Sequence, residues 1–203
     1  MTKIFAVLTT GFFLLLSPAI GQSAENPGVS EHFLGKADAP IKVQEFASLT
    51  CSHCADFYNE IMPELEKRYV ETGKVRFILR DFPLDGVGLK AAALAHCMPA
   101  DQYYPFVRVL YKNLTAWAMS PNPDQTLVQY AKLGGLGEDK AKACLQDTKM
   151  LDAIVAVRSA AVQKYDVKAT PTFIINDGEQ KIEGARSLED FTTVFDKLLA
   201  AKP

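Results

Sequence analysis

Cys51-Ser52-His53-Cys54 is the segment whose residue types and spacing most directly imply chemistry. At helical spacing the two sulfurs fall within one turn, close enough to form and break a disulfide. A thiol at the start of a helix faces free backbone N–H groups and the positive end of the helix dipole, and both favour the thiolate. The second cysteine lies one turn inward and is expected to be more buried. His53, between them, can set an imidazolium charge or a hydrogen-bond donor beside the Cys51 sulfur. Each effect stabilises the reduced, ionised form, and such a dithiol is a strong oxidant once oxidised. Thiols at sites of this kind have pKa values of roughly 3.5 to 7.5, against about 8.5 for a free thiol. Each unit is worth about 1.4 kcal/mol between protonation states.

Two other uses of a Cys-x-x-Cys compete with this one. The pair could be a static disulfide, or half of a zinc site. Structural zinc needs about four ligands, and the chain has no second Cys-x-x-Cys, while His32 and His96 lie in unrelated contexts. A non-enzymatic copper- or zinc-binding module using Cys51, His53 and Cys54 is the rival from another class, and methionine-rich or histidine-rich tracts are missing. No metal and no cofactor is expected. The other cysteines, Cys97 and Cys144, most simply form a structural disulfide in an oxidising compartment. Its loop of about 48 residues gives a chain-entropy contribution of roughly 4 kcal/mol. The alternative is two buried thiols packing as small hydrophobes.

The elements that must position these cysteines follow from pattern. The chain has 203 residues, 48% hydrophobic and 23% charged, enough for one globular domain or a domain with an insertion. A net charge of -2 leaves no electrostatic footprint for nucleic acid. Lys3, the apolar run from Ile4 to Leu16, Ser17-Pro18 and the small residues Ala19 and Gly21 have the order of a cleavable signal peptide over 1–21. The run is too short for a comfortable span of roughly 20 residues. The protein is therefore expected to be exported, to a place where disulfides form and persist.

Residues 22–40 are expected to be a polar lead-in. Ile41 to Phe46 alternates as a strand, and from Cys51 the pattern is helical, with Phe57, Ile61, Leu65 and Tyr69 on one face. Pro63 is expected to kink this helix, and Gly73 to end it. Val75 to Phe82 is a second strand. Residues 87–165 carry only helical patterns, at Leu89–Met98, Gln102–Trp117, Gln125–Leu133, Glu138–Leu145 and Met150–Tyr165. The aromatic residues Tyr103, Tyr104, Phe106, Tyr111 and Trp117 read as core. Strands return at Thr172–Asn176 and Gln180–Glu183, with Asp177-Gly178 as the turn, and Leu188–Ala200 closes the chain as a helix capped by Ser187. The fold class is α/β, a mixed sheet covered by helices with an all-helical insertion. Pro171 stands just where a strand begins, a place that tolerates proline at an edge or with a cis peptide.

Cys51-Ser52-His53-Cys54 after Glu45-Phe46, with Thr170-Pro171 opening a late strand and hairpin, resembles the thioredoxin fold. The helical block before that proline resembles the DsbA-like thiol–disulfide oxidoreductases. The likeness spans roughly Ile41 to Ala200. It implies a redox domain from 41–86 and 166–203, and an inserted helical domain over 87–165. It implies Cys51 as the attacking thiol, Cys54 as the resolving thiol, Pro171 as a cis-proline facing them, and Thr170 as a backbone partner for a client. Glu45 matches the family's buried acid, and Arg76 is the residue matched to its basic partner. The family's usual middle pair is Pro-His; this chain keeps the histidine in Ser-His. The activity implied is disulfide donation to unfolded or newly exported proteins in the periplasm. Reoxidation would come from a DsbB-like, quinone-linked membrane protein. An isomerase or reductase is the rival within the class. Isomerases of the family carry a dimerisation domain that 22–40 is too short to supply, which implies a monomer.

Overall fold

The protein is described here by a computed structural model covering residues 29–201. The expected signal peptide lies outside the described residues. Among those residues, no helix is long and apolar enough to cross a membrane.

The two apolar segments on either side of the Cys-x-x-Cys become the middle of a five-stranded sheet. β2 (Ile41–Ala47) and β3 (Val75–Asp81) pair in parallel, with Glu45 opposite Leu79 and Ala47 opposite Asp81. Parallel neighbours need a crossover. It is supplied by a helical segment that begins as α1 (Ser52–Asp56), passes through α2 (Met62–Leu65) and ends at Val70. Pro63 does not break this segment. π-helical turns at Phe57–Ile61 and Glu66–Val70 flank α2, and a widened turn absorbs the missing N–H and the ring of a proline.

Between the second and third long strands come six helices: α3 (Gly86–His96), α4 (Tyr103–Lys112), α5 (Leu114–Ala118), α6 (Pro123–Leu133), α7 (Glu138–Leu145) and α8 (Thr148–Tyr165). The single helix expected over Gln102–Trp117 is split at Asn113, whose backbone leaves the helical region and whose amide donates to the Val109 carbonyl at 2.8 Å. Local hydrogen bonding by asparagine competes with the helix ladder. The aromatic cluster is core as expected, with Tyr103, Tyr104, Phe106, Tyr111 and Trp117 all buried.

β4 (Thr172–Ile175) returns antiparallel to β2, and β5 (Gln180–Glu183) forms a hairpin with it. Asn176, Asp177 and Gly178 all take positive φ in the turn, a conformation these three residue types tolerate best. α9 (Leu188–Ala200) starts from a reciprocal capping box between Ser187 and Asp190. Phe191 and Phe195 of α9 pack with Phe57, Phe77 and Phe173 between helix and sheet.

From residue 29 onward the lead-in is more ordered than its composition implies. Phe33–Leu34 form β1, an antiparallel edge beside β3. Tertiary contacts hold it there. The Tyr104 hydroxyl donates to the His32 carbonyl at 3.0 Å, the His32 ring stacks on Tyr103 at 3.9 Å, and Glu31 bridges Arg76 and Arg80. A two-residue strand carries no periodicity, so sequence pattern could not show it.

Candidate active site

Cys51 is the N-cap of α1, and its main-chain N–H donates back to the Ser48 carbonyl at 3.1 Å. The strand β2 thus ends in a hydrogen-bonded turn that delivers the cysteine to the start of the helix. Both thiols are free in this structure. Cys51 is 8% exposed and Cys54 fully buried, the order expected from one turn of helix.

The surroundings drive the two sulfurs apart. The Cys51 thiolate is favoured first by the Cys54 S–H, then by the nearby Thr170 side chain and the backbone N–H groups of Cys54 and His53, and these outweigh burial and bring its pKa down to about 5. Cys54 moves far upward, chiefly through burial, then through its bond to Cys51 and the nearby Glu45 and Cys51 charges. One sulfur is set up as thiolate and the other as thiol.

The peptide between Thr170 and Pro171 is cis, and the Thr170 carbonyl lies 3.5 Å from the Cys51 sulfur. The Thr170 hydroxyl is buried with no partner of good geometry, yet it is close enough to favour the neighbouring thiolate. The segment expected to face the dithiol therefore does so.

His53 acts differently from expectation. Its imidazole is 73% exposed and points to Asp56, at 3.7 Å. What reaches Cys51 from this residue is the backbone N–H.

Glu45 is fully buried beneath the dithiol. Burial pushes its carboxyl well above the usual range, the Tyr58 hydroxyl opposes that, and the Cys51 charge adds to it. Neither carboxyl oxygen nor the Tyr58 hydroxyl has a partner that meets hydrogen-bond geometry. Arg76 is not the basic partner of Glu45. Glu45 pairs with Leu79 across the parallel register, and side chains alternate along a strand, so Arg76 projects from the opposite face. There it bonds Glu31 at 3.1 Å and lies over the Phe33 ring. The residues around Glu45 are instead tyrosines, with Tyr58, Tyr104 and Tyr111 each feeling its charge.

Away from the dithiol, Cys97 and Cys144 are joined by a disulfide between the end of α3 and α7, with Cα atoms 6.4 Å apart. His96, next to Cys97, binds Asp81 at 2.6 Å with both side chains buried, and His32 lies 5.4 Å from it. Nothing local in the sequence marks these histidines, because the contact is assembled from three separate segments. Among the described residues no group of three or more His, Cys, Asp or Glu is arranged to hold a metal ion. Ser48, Thr50 and Asp85, which are not among the residues expected at the site, enclose the dithiol turn. Asp85, as the N-cap before a helix, was the one with a legible signal.

A mixed sheet with a thiolate-stabilised Cys-x-x-Cys at a helix N-terminus and a cis-proline segment against it is an arrangement suited to dithiol–disulfide chemistry. Comparison with known proteins shows the family. A family model described as thioredoxin matches residues 28–197. The crystal structure of Wolbachia pipientis alpha-DsbA1 superimposes with a TM-score of 0.77 at 38% identity, covering 84% of this chain and 92% of that one. A Rickettsia felis protein provisionally named protein-disulfide oxidoreductase is 30% identical over 167 residues, 82% of this chain. The chain spans 59% of that relative's length. Disulfide bond formation protein D of Bacillus subtilis is 27% identical over 179 residues, covering 83% of this chain and 77% of its own. The chain belongs to the thioredoxin family, and within it to the DsbA-like proteins with a helical insertion.

Proposed function

We propose that this protein is a thiol–disulfide oxidoreductase that donates its Cys51–Cys54 disulfide to unfolded or newly exported proteins in the periplasm. The observation that carries the reading is the opposition between the two sulfurs, with Cys51 held at about 5 and Cys54 displaced upward. A client thiolate attacks the Cys51 sulfur. The Cys51–Cys54 bond breaks, its electron pair goes to Cys54, and Cys54 takes up a proton. A second client thiolate then attacks the client sulfur of the mixed disulfide, and Cys51 leaves as a thiolate. Two electrons have passed from client to enzyme. A thiol of low pKa leaves readily, so the second step runs towards the oxidised client.

Burial favours the neutral form of Glu45, which places a proton beside Cys54 for the first step. In this reading Thr170 and cis-Pro171 receive the client backbone, 41–86 and 166–203 form the redox domain, and 87–165 is the inserted cover. Reoxidation falls to a quinone-linked membrane protein of the DsbB type, and the protein acts as a monomer. The test is equilibration of Cys51–Cys54 against a glutathione buffer, paired with oxidation of a dithiol peptide. An oxidase gives a potential well above that of the glutathione pool and rapid peptide oxidation. A strongly reducing potential would assign the chain to reduction instead, and stoichiometric metal binding without peptide oxidation would assign it to metal handling.

A further inference from the structure

Ser48, 1% exposed, spends all of its polar atoms around the dithiol turn. Its carbonyl accepts from the Cys51 N–H at 3.1 Å and from the Tyr111 hydroxyl at 3.3 Å. Its backbone N–H favours the Cys54 thiolate, against the effect of burial. Its hydroxyl lies 2.9 Å from the Thr50 hydroxyl and accepts from the Thr50 and Leu84 N–H groups, each at 3.3 Å. Thr50 then donates to Asp85 Oδ2 at 2.8 Å, while Asp85 Oδ1 accepts from the Gly88 N–H at 2.7 Å and caps α3. A continuous chain of hydrogen bonds therefore runs from the first turn of the helical insertion to the residue whose carbonyl holds the Cys51 N–H. It packs tightly. A Cβ on Gly88 would sit 2.8 Å from the Thr50 hydroxyl and 3.0 Å from that of Ser48.

We propose that Ser48, Thr50 and Asp85 are positioning residues for disulfide exchange. Through them the start of the insertion holds the Ser48 peptide against the Cys54 sulfur and the Cys51 N-cap in place. When a client thiolate attacks Cys51, the electron pair of the broken bond arrives on Cys54. The Ser48 N–H favours negative charge on that departing sulfur from outside the Cys-x-x-Cys itself. Loosening the chain makes Cys54 a poorer leaving group and the reduced form less stable.

The inference rests on the exchange reading above, and its test separates the two. Thr50→Val removes the hydroxyl at nearly constant volume. Asp85→Asn keeps the helix cap, since Asn caps as well as Asp, but replaces the acceptor for Thr50 with an amide whose N–H₂ end only donates. Thr50→Ser restores the hydroxyl. In the purified full chain, one hydrogen bond of ordinary worth corresponds to about a fivefold to tenfold change. Thr50→Val and Asp85→Asn should shift the glutathione equilibrium by that factor towards a more reducing dithiol. They should slow attack by a reduced peptide by a similar factor, while Thr50→Ser stays near wild type. Wild-type equilibrium and rate in both variants would overturn the inference, as would equal losses in Thr50→Ser. The glutathione equilibrium is read on the protein alone. Failure of the wild-type chain to oxidise the peptide would therefore defeat the exchange reading and leave this comparison standing.

Discussion

Cys51 and Cys54 sit three residues apart and remain thiols, whereas Cys97 and Cys144 sit 47 apart and are bonded. The first pair lies where a strand hands over to a helix, among backbone N–H donors aimed at one sulfur. The second joins the ends of two helices within the insertion, where α3 and α7 meet. The contrast teaches that spacing in the chain does not decide what surrounds a sulfur: one pair has a thiolate-stabilising environment and the other a covalent partner.

Removing each pair's advantage tests that contrast. The largest effect is expected at the distal pair. Replacing Cys97 and Cys144 together by serine should lower unfolding stability by roughly 4 kcal/mol, the closure term for a loop of this length, with peptide oxidation nearly intact. Chemical denaturation and a peptide assay on the same sample check it, and loss of activity in the folded double mutant would move that pair into the redox relay.

The second effect concerns pH. The folded reduced protein holds Cys51 at about 5, below its unfolded value near 9. The stability this contributes is complete above the unfolded value and is lost as pH falls through 5. At pH 7 it amounts to about 3 kcal/mol. The reduced protein should therefore lose this increment between pH 7 and pH 5, and the oxidised protein should not. Denaturation of both forms at each pH measures it, and parallel pH dependence would refute the assigned thiolate.

A third, smaller effect divides the two ways His53 could act. His53→Pro deletes the N–H that reaches Cys51 and should raise the thiol pKa by about one unit. His53→Ala keeps that N–H and should leave the thiolate absorbance titration nearly in place. The reverse ranking would restore the imidazole to the leading role. The smallest effect is expected at Arg76. Arg76→Met breaks a partly exposed ion pair with Glu31, worth about 0–1 kcal/mol, and should leave the potential unchanged. A shifted potential would show that its charge reaches Glu45 through the sheet.

Much of the site was legible because its chemistry is local. The Cys-x-x-Cys, the strand before it and the helix after it are contiguous, so residue type and period carried them. Thr170-Pro171 was legible from a proline at a strand start. Arg76 was misassigned because two strands had to be registered before its face was known. Ser48, Thr50 and Asp85 were invisible as a group because their hydrogen bonds close between residues up to 36 apart, and short polar side chains in a loop look alike in any sequence.

By itself the sequence determined the α/β class, the order of strands and helices, the helical block and the placing of a Cys-x-x-Cys at a strand-to-helix junction, since these depend on periodicity and spacing within a few residues. Only the tertiary structure decided which groups face each sulfur, which face of the sheet each charge occupies, that the lead-in adds an edge strand, and that Cys97 lies within bonding distance of Cys144. Those outcomes depend on how distant elements register and pack. A pKa is set by whatever packing brings within a few ångströms, wherever it stands in the chain.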